Sequence, residues 1–388
     1  MTVDWLIVGA GFAGSVLAER IASVRNESVL LVDRRDHVAG NAFDTFDEHG
    51  VLIHRYGPHL FHTNSQQVWD YLSQFTEWHP YEHRALALVE GQFVPIPFNF
   101  QSLRLLWPED AARDLQTRLI AEYGSGVRVP ILRMLQHGDA AIRELARYIY
   151  DHIFAGYTRK QWDLNPEQLD PSVTARVPVQ IGDDDRYFQD RFQAMPRDGF
   201  TALFRRMLGH PNIQTRLATD YRNLSPSVQW RRMIYTGPVD EFFDYRHGHL
   251  PYRSLRFEFR HHAGGPFQPT ATVNYPNSEP YTRITEFKHV TGQDVAGTTV
   301  AVEYPQPHRP GENEPYYPVP RPESAAIHEK YQAEIAALNG NPLFLGRLAD
   351  YRYYNMDQVV ARALKVFEEI EGGTSAGTGL EAGRAPTL

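Results

Sequence analysis

The most constraining feature of this chain is a glycine-rich turn near its amino terminus. An apolar run at residues 5–8 passes directly into a G-x-G-x-x-G motif at residues 9–14, and a helix-compatible segment follows. This order of strand, turn and helix is typical of a dinucleotide-binding unit. In such a unit Gly9 permits the sharp turn, Gly11 lets the backbone approach a pyrophosphate, and Gly14 lets the helix pack closely on the strand.

A second apolar run, at residues 28–32, supplies the next part of the pattern. It ends in Asp33, nineteen residues after Gly14, where an acid commonly accepts hydrogen bonds from a ribose. The basic residue Arg34 follows at once, and the pair Gly40-Asn41 stands a few residues later. A basic residue and a glycine loop in these places are more typical of FAD than of NAD binding. We therefore predict FAD as the cofactor.

Composition excludes several classes of protein and site. The chain of 388 residues contains no cysteine, which excludes disulfides, thiolate catalysis and sulfur-ligated metals. Its net charge of -8 gives no basic surface for nucleic acid. No apolar run reaches the roughly 18 residues that suggest a membrane span, and no signal peptide precedes the first strand, so we expect a cytoplasmic protein. His59 and His62 lack a nearby carboxylate partner, and we expect no metal site.

The rest of the chain predicts two insertions into the nucleotide-binding fold. Residues 102–157 have helical periodicity, whereas residues 86–94, 255–259 and 299–304 alternate as antiparallel strands do. A helix that begins near Met356 would return to the nucleotide fold and close it. The predicted fold class is α/β, with a discontinuous FAD-binding Rossmann-like domain, an inserted helical domain and an antiparallel β-sheet domain.

The predicted domain limits follow from these changes of pattern. The FAD-binding domain takes residues 1–80, 195–250 and 325–371. The helical domain takes residues 100–185, and the proline- and aspartate-rich stretch 163–186 is predicted to be a mobile lid. The substrate-binding sheet takes residues 81–99, 186–194 and 251–324, and residues 372–388 are predicted to be a flexible tail.

Four short stretches, taken together and in order, resemble the UDP-galactopyranose mutase family. They are residues 55–63, 156–162, 315–319 and 346–353, and the likeness extends from residue 1 to about residue 370. The resemblance implies an isomerase that binds UDP-galactose and UDP and interconverts the pyranose and furanose forms of the sugar without net redox change. It also implies FAD reduced by an external reductant, a covalent intermediate between flavin N5 and the sugar, and a homo-oligomer.

The resemblance implies catalytic roles for four residues. Arg176, on the predicted lid, and Arg283 would stabilise the departing diphosphate, because arginine forks match diphosphate oxygens. Arg347 would lie beside both substrate and flavin, and His59 would lie at the flavin.

The resemblance also implies a set of substrate-binding residues, most of them aromatic. Flat faces suit uracil, and phenol hydroxyls suit the diphosphate and the sugar. The set is Phe154, Tyr157, Trp162, Tyr187, Tyr317, Tyr353 and Asn355. Asn355 stands where the family often has Asp, so it would keep a hydrogen bond to the sugar but not a charge.

The residues expected at the cofactor combine the glycine-rich motif, the acid and loop after the second strand, and the two late stretches of the chain. They are Gly9, Gly11, Phe12, Ala13, Gly14, Asp33, Arg34, Gly40, Asn41, His59, Gly346, Arg347, Met356 and Asp357.

Three other functions fit parts of the pattern. A flavin-dependent oxidase of a small polar substrate would consume oxygen, which a mutase would not. A nucleotide-sugar epimerase uses a Tyr-x-x-x-Lys pair, and none of the four lysines has tyrosine four residues before it. A noncatalytic flavin-binding protein would not explain a predicted lid that carries Trp162 and Arg176.

Overall fold

A five-stranded parallel sheet forms the centre of the molecule. The computed structural model describes residues 1–164, 178–319, 321–338 and 341–373. Each strand of the sheet is parallel to its neighbour. In spatial order the strands are Ile213–Arg216, Val29–Val32, Thr2–Val8, Gln229–Tyr235 and Leu343–Phe344.

Both faces of this sheet are buried, which explains why its strands are continuous apolar runs. Successive side chains of a strand point to opposite faces, so Trp5 and Ile7 join one core and Leu6 joins the other. The helices on the first face are Phe12–Arg25, Phe200–Met207 and Met356–Glu371.

A second sheet of seven strands lies outside the nucleotide-binding core. Its spatial order is Tyr317–Pro318, Tyr252–His262, Thr298–Pro307, Arg283–Glu286, Thr272–Asn274, Ala85–Val89 and Gln92–Ile96. The pairs are antiparallel except one, since Thr272–Asn274 runs parallel to Ala85–Val89. The predicted alternation at residues 86–94, 255–259 and 299–304 corresponds to strands of this sheet.

The inserted helical region has its own apolar core. Asn99 caps the first helix with hydrogen bonds to the backbone N–H groups of Gln101 and Ser102. The helices are Phe100–Leu106, Glu109–Tyr123, Ile131–Leu135, Ala140–Ile149 and Gly156–Trp162, with a π-helical segment, Tyr150–Ala155, between the last two.

The remaining elements are short and connect these three parts. Three small sheets contain Phe61–Thr63 with Phe192–Pro196 and Trp78–Pro80, Asp44–Phe46 with Leu52–His54, and Arg128–Val129 with Val179–Gln180. The other helices are Gln66–Leu72, Val239–Phe242, Phe287–Thr291 and Pro322–Ala337, and Gly40–Ala42 and Tyr221–Asn223 form single 3-10 turns. Among the described residues, the helices are too short or too polar to cross a membrane.

The predicted fold class is confirmed: a parallel nucleotide-binding sheet, a helical insertion and a second sheet that is mainly antiparallel. The exact domain limits stay predictions. Most of the predicted lid, including Arg176, and nearly all of the predicted tail lie outside the described residues.

Candidate active site

The glycine-rich turn has the geometry that its sequence predicts. Gly9 has a φ of +107°, and a Cβ built on it would lie 2.0 Å from the hydroxyl of Thr236. A Cβ on Gly14 would lie 2.0 Å from the carbonyl oxygen of Gly9. A side chain at Gly14 would push the helix Phe12–Arg25 away from the strand, and one at Gly9 would displace Thr236, so the close packing depends on glycine.

Two glycine backbones come together at the mouth of the turn. A Cβ on Gly40 would lie 3.0 Å from the Cα of Gly11, and neither residue carries a side chain that could cover the turn. The bare backbone faces a crevice at the amino end of the helix Phe12–Arg25, where free N–H groups and the helix dipole favour an anion.

Asp33 fixes the loop after the second strand. One of its carboxylate oxygens accepts a hydrogen bond of 2.8 Å from the backbone N–H of Ala10, and the other accepts one of 2.9 Å from the N–H of Arg35. The guanidinium of Arg35 donates to Asn41 Oδ1 at 2.9 Å and pairs with Glu314 at 2.6 Å. Arg34 pairs with Glu241 on the far side of the crevice.

The crevice brings together most of the predicted cofactor residues. It lies at the carboxyl ends of the central parallel strands, which is where open α/β sheets bind ligands. The predicted residues that line it are Gly9, Gly11, Phe12, Ala13, Asp33, Arg34, Gly40, Asn41, His59, Gly346, Arg347 and Met356. Gly14 and Asp357 lie next to it. A Cβ on Gly40 would lie against the Cα and N atoms of Gly11, so glycine at both positions leaves bare backbone for a dinucleotide pyrophosphate, and these residues fit FAD.

His59 lies where the crevice approaches two arginines. Its backbone N–H donates to His54 Nδ1 at 3.0 Å, and its own Nδ1 lies 2.9 Å from the carbonyl oxygen of Gly57. Burial lowers the pKa of His59 to about 3, and the nearby charges of Arg347 and Arg283 act in the same direction. The ring is therefore neutral at physiological pH.

The closing helix begins beside the same crevice. Asn355 is its N-cap residue, and the backbone N–H of Asn355 donates to Gln358 Oε1 at 2.9 Å. Thr63 donates to Asp357 Oδ2 at 3.0 Å, whereas Asp357 Oδ1 is buried without a hydrogen-bond partner among the described residues. Burial raises the pKa of the Asp357 carboxyl, and the hydrogen bond from Thr63 opposes the rise.

A buried ion pair occupies the next part of the site. Arg283 Nε donates to Glu303 Oε2 at 2.8 Å, Nη2 lies 2.7 Å from the same oxygen, and Thr282 donates to Glu303 Oε1 at 3.0 Å. Burial alone would lower the pKa of Arg283, but the carboxylate of Glu303 outweighs it, and the pKa lies well above its ordinary value. Arg283 is therefore a permanent, oriented cation.

Aromatic rings and a second cation adjoin this pair. The rings of Tyr317 and Tyr353 stack with centroids 5.4 Å apart and planes 16° apart. The guanidinium carbon of Arg347 lies 5.8 Å and 5.6 Å from their centroids. Arg347 also donates to the backbone carbonyl of Tyr354 at 2.8 Å, which holds it between the tyrosines and the crevice. Tyr316, by contrast, is buried against Phe257.

The helix Gly156–Trp162 adds two more aromatic side chains. The ring centroid of Trp162 lies 6.1 Å from that of Tyr317. Burial raises the pKa of Tyr157, and the charge of Arg283 opposes the rise, which places Tyr157 within electrostatic reach of Arg283. Tyr187 packs edge-on against His83 with centroids 5.5 Å apart.

One predicted site residue stands apart from this cluster in the described part of the chain. Phe154 is 7% exposed and belongs to the core of the helical region. Arg176 lies outside the described residues. The roles predicted for all of the site residues therefore stay predictions, although the structure gathers most of them around one crevice.

Sequence reasoning missed Glu303, which orients Arg283. A signal was present in the sequence, because Glu303 directly follows the apolar residues 300–302 of the strand Thr298–Pro307, and in the structure it is 1% exposed. A buried carboxylate needs a partner, so an acid in an apolar strand predicts a nearby cation. The missing information was which arginine it would meet. No group of three or more metal-ligating side chains occurs in the part of the chain that the structure describes.

Comparison with protein families gives two matches. The model for the UDP-galactopyranose mutase family matches residues 152–353, which is more than half of the chain. A model for NAD(P)-binding Rossmann-like domains matches residues 7–75, which include the glycine-rich turn.

Curated relatives match over nearly the whole chain. A probable UDP-galactopyranose mutase from Klebsiella pneumoniae is 37% identical over 94% of this chain and 94% of its own length. The dTDP-fucopyranose mutase of Escherichia coli is 34% identical over 93% of this chain and 96% of its own. The UDP-galactopyranose mutase of Mycoplasma pneumoniae is 32% identical over 95% of this chain and 96% of its own length.

Solved structures share the fold. A crystal structure of reduced UDP-galactopyranose mutase superposes with a TM-score of 0.71 at 17% identity, covering 96% of this chain and 94% of that one. A putative protoporphyrinogen oxidase from Exiguobacterium superposes with a TM-score of 0.64 at 14% identity, covering 96% of this chain and 99% of that one. At these identities the likeness concerns the fold alone.

The glycine-rich turn and its crevice agree with the match to Rossmann-like domains. FAD is the cofactor of this family, as the glycine loop and Asp33 predict. The chain is an enzyme that belongs to the UDP-galactopyranose mutase family.

Proposed function

We propose that this enzyme interconverts UDP-galactopyranose and UDP-galactofuranose on reduced FAD, with no net redox change. The observation that carries the proposal is the oriented cation Arg283, held by Glu303 at 2.7 Å next to the aromatic cluster. Arg347 connects that cluster to the dinucleotide crevice. A nucleotide-sugar site next to a flavin site is the arrangement that the reaction requires.

The arginines would stabilise the leaving group. When the bond between the anomeric carbon and the diphosphate breaks, both electrons stay with UDP, and negative charge develops on its terminal phosphate. Arg283 uses Nε and Nη2 for Glu303, so the N–H groups of Nη1 remain for phosphate oxygens. A preorganised cation in a partly dry site stabilises developing charge much more than a mobile one in water. Arg347 supplies a second cation, and Arg176, which lies outside the described residues, is proposed from the family resemblance alone.

The aromatic side chains would hold the nucleotide. Trp162 and Tyr157 present ring faces on one helix, which suits a uracil base. Tyr317 and Tyr353 would donate their phenol O–H groups to the diphosphate and the sugar. The stacking of these two rings limits their rotation, which lowers the entropy that binding would cost.

When bound and reduced, FAD supplies the nucleophile for the anomeric carbon. The bare backbones of Gly11 and Gly40 would receive its pyrophosphate, and Asp33 would accept hydrogen bonds from its ribose. The first N–H groups of the helix Met356–Glu371, which begins beside the crevice, would favour negative charge on the reduced cofactor. Neutral His59 would orient hydrogen bonds at the ring without adding charge.

Chromatography of the nucleotide sugars tests this function. FAD-loaded protein reduced with dithionite should convert UDP-galactofuranose to UDP-galactopyranose, and the oxidised protein should not. Absence of conversion by the reduced, FAD-loaded protein would contradict the proposal.

The identity of the nucleotide sugar requires a parallel assay, because one of the relatives is a dTDP-fucopyranose mutase. We expect UDP-galactofuranose to be the better substrate by kcat/KM when the furanose forms of both nucleotide sugars are compared. If the dTDP sugar is converted more efficiently, the family assignment stands and the proposed substrate is wrong.

A further inference from the structure

The helix Gly156–Trp162 carries two of the proposed nucleotide-binding rings at the end of a longer helical run. It continues without a break from the helix Ala140–Ile149 through the π-helical segment Tyr150–Ala155. The run ends at Asp163, which has a φ of +57°. The preceding turns hold the amino end of the helix, so the position of its carboxyl end, with Trp162, depends on contacts with other segments.

One buried arginine makes those contacts. Arg253 Nε donates to the carbonyl oxygen of Gln161 at 2.9 Å, and Nη2 donates to that of Lys160 at 3.3 Å. Arg253 Nη1 lies 3.9 Å from the carboxylate of Asp163, and the side chain of Arg253 is 8% exposed. The last carbonyls of a helix have no partner within the helix, and a cation there also complements the helix dipole.

The backbone of the same residue holds a second part of the site. Arg253 is paired with Tyr317 across two antiparallel strands, and its carbonyl oxygen accepts a hydrogen bond of 2.9 Å from the N–H of Tyr316. The side chain of Arg253 thus fixes the helix that bears Trp162, while its backbone fixes the strand that bears Tyr317. Arg253 therefore connects the two segments that carry Trp162 and Tyr317, whose ring centroids lie 6.1 Å apart.

The opposite side of the helix is attached to the strand that leads to Arg283. Lys160 Nζ donates to the carbonyl oxygens of Tyr275 and Tyr281, at 2.7 Å and 3.3 Å. A Cβ on Gly156 would lie 2.2 Å from the carbonyl oxygen of Pro276, so the helix lies directly against that segment. The helix is held between the segment of Tyr317 and the segment of Arg283.

We propose that Arg253 is a positioning residue that sets the affinity of the site for the nucleoside part of a nucleoside diphosphate. It acts by holding the helix of Tyr157 and Trp162 at a fixed distance from Tyr317, and it makes no contact with the reacting atoms. The inference rests on the proposed function for the identity of the ligand, whereas the clamp itself depends only on the contacts of Arg253.

Three variants separate this role from a general loss of structure. Arg253→Met removes the hydrogen bonds and keeps an unbranched apolar stem, and Arg253→Lys keeps a cation that can reach one carbonyl. Arg143→Met is the control, because Arg143 also donates to two backbone carbonyls, those of His137 and Gly138, but lies in the helical region away from the cluster.

Calorimetry with UDP as the probe measures the affinity. We expect Arg253→Met to weaken UDP binding by about 10-fold, because binding must then order the helix end that the two hydrogen bonds of Arg253 hold in place. KM should rise with kcat within about 3-fold of the wild type, and Arg253→Lys should restore part of the affinity. FAD content should not change, and Arg143→Met should bind UDP normally. Wild-type affinity in Arg253→Met, or a loss that accompanies loss of FAD, would overturn the proposal.

Hydrogen exchange tests the clamp without any sugar nucleotide. In Arg253→Met the amides of residues 157–162 should exchange faster, and those of the helix Phe12–Arg25 should not. Unchanged exchange would overturn the clamp even if the enzyme is a mutase. Faster exchange in a protein whose wild type binds no UDP would leave the clamp in place and refute the proposed function.

Discussion

The cofactor crevice and the substrate cluster are built in opposite ways. The crevice is made largely of backbone: the glycine turn, the helix end and the second strand lie within the first 41 residues, and Gly346 and the start of the helix Met356–Glu371 complete it. The cluster is made of side chains that come from distant parts of the chain, with Tyr157 on a helix and Arg283, Tyr317 and Tyr353 on three later segments.

This difference predicts which kind of substitution should inactivate the cofactor crevice and which should inactivate the substrate cluster. A backbone site fails when a side chain is added, because the added atom displaces an element of the fold. A side-chain site fails when a functional group is removed, while the surrounding fold and the other half survive. The variants below test this contrast, from the largest expected effect to the smallest.

Gly14→Ala should be the most damaging change. Its new Cβ would lie 2.0 Å from the carbonyl oxygen of Gly9, so strand and helix must separate, which costs on the order of 3 kcal/mol of unfolding free energy. We expect loss of bound FAD and of all activity, measured by flavin absorbance and turnover. Gly138→Ala, where nothing lies within 4 Å, is the control. Retention of FAD by Gly14→Ala would contradict the backbone account of the crevice.

Arg283→Ala should do the reverse and leave FAD in place. Removing the oriented cation should lower kcat by about 100-fold or more, the magnitude typical of a lost donor at developing charge. Arg256→Ala is the matched control, because Arg256 lies on a neighbouring part of the same sheet and is exposed. If turnover by Arg283→Ala is near normal with FAD bound, Arg283 has no catalytic role.

Glu303→Gln should have a smaller effect, and it tests whether the substrate cluster depends on the orientation of Arg283. Glutamine can accept one hydrogen bond from Arg283 but does not balance its buried charge, so we expect kcat to fall by roughly 10-fold with some loss of stability. Glu258→Gln, at an exposed carboxylate that pairs with Arg256 and Arg260, should have no such effect. Equal activity of Glu303→Gln and wild type would show that the pair does not orient Arg283 for catalysis.

The unfolding free energy should fall gradually as the pH is lowered, because several histidines are buried in the folded protein. Burial lowers the pKa of His54 to about 4 and that of His59 and His83 to about 3, from an ordinary value of 6.5. Between about pH 6.5 and 4 the unfolded chain therefore binds more protons than the folded one, and stability falls as the pH falls. Each histidine should contribute on the order of 1 kcal/mol per pH unit to denaturant unfolding.

A substitution at His54 identifies this contribution. In His54→Asn the side-chain oxygen can still accept the hydrogen bond from the N–H of His59, but nothing there titrates. The slope of the unfolding free energy against pH should decrease by the contribution of one histidine. An unchanged slope in His54→Asn would mean that other groups cause the acid sensitivity.

The same contrast explains which parts could be predicted from sequence. The crevice was predictable because Gly9, Gly11, Gly14 and Asp33 lie close together in the sequence. Their spacing alone indicates a dinucleotide-binding turn. Three elements were not predicted: the edge strand Ile213–Arg216 and the helices Phe200–Met207 and Pro322–Ala337. Phe200–Met207 is amphipathic but has only eight residues, and Pro322–Ala337 has no continuous apolar face, so tertiary packing defines both.

The substrate cluster could not be assembled from local pattern. Tyr157, Tyr317 and Tyr353 were identified through a family resemblance, and nothing in their spacing predicts that they meet. Glu303 and Arg253 were not predicted, because each acts through a partner that is distant in the sequence. Glu303 binds Arg283, 20 residues away, and Arg253 binds Gln161, 92 residues away. Long-range pairing of this kind is visible only in the folded chain.

The central claim is that the two halves cooperate in a reaction that leaves the flavin unchanged. The most direct measurement adds UDP-galactofuranose anaerobically to oxidised and to reduced enzyme while flavin absorbance and sugar composition are followed together. We predict that the oxidised enzyme keeps its colour and converts no sugar. The reduced enzyme should stay bleached through many turnovers to the pyranose. Bleaching of the oxidised enzyme by the sugar nucleotide, or no conversion by the reduced enzyme, would contradict the account.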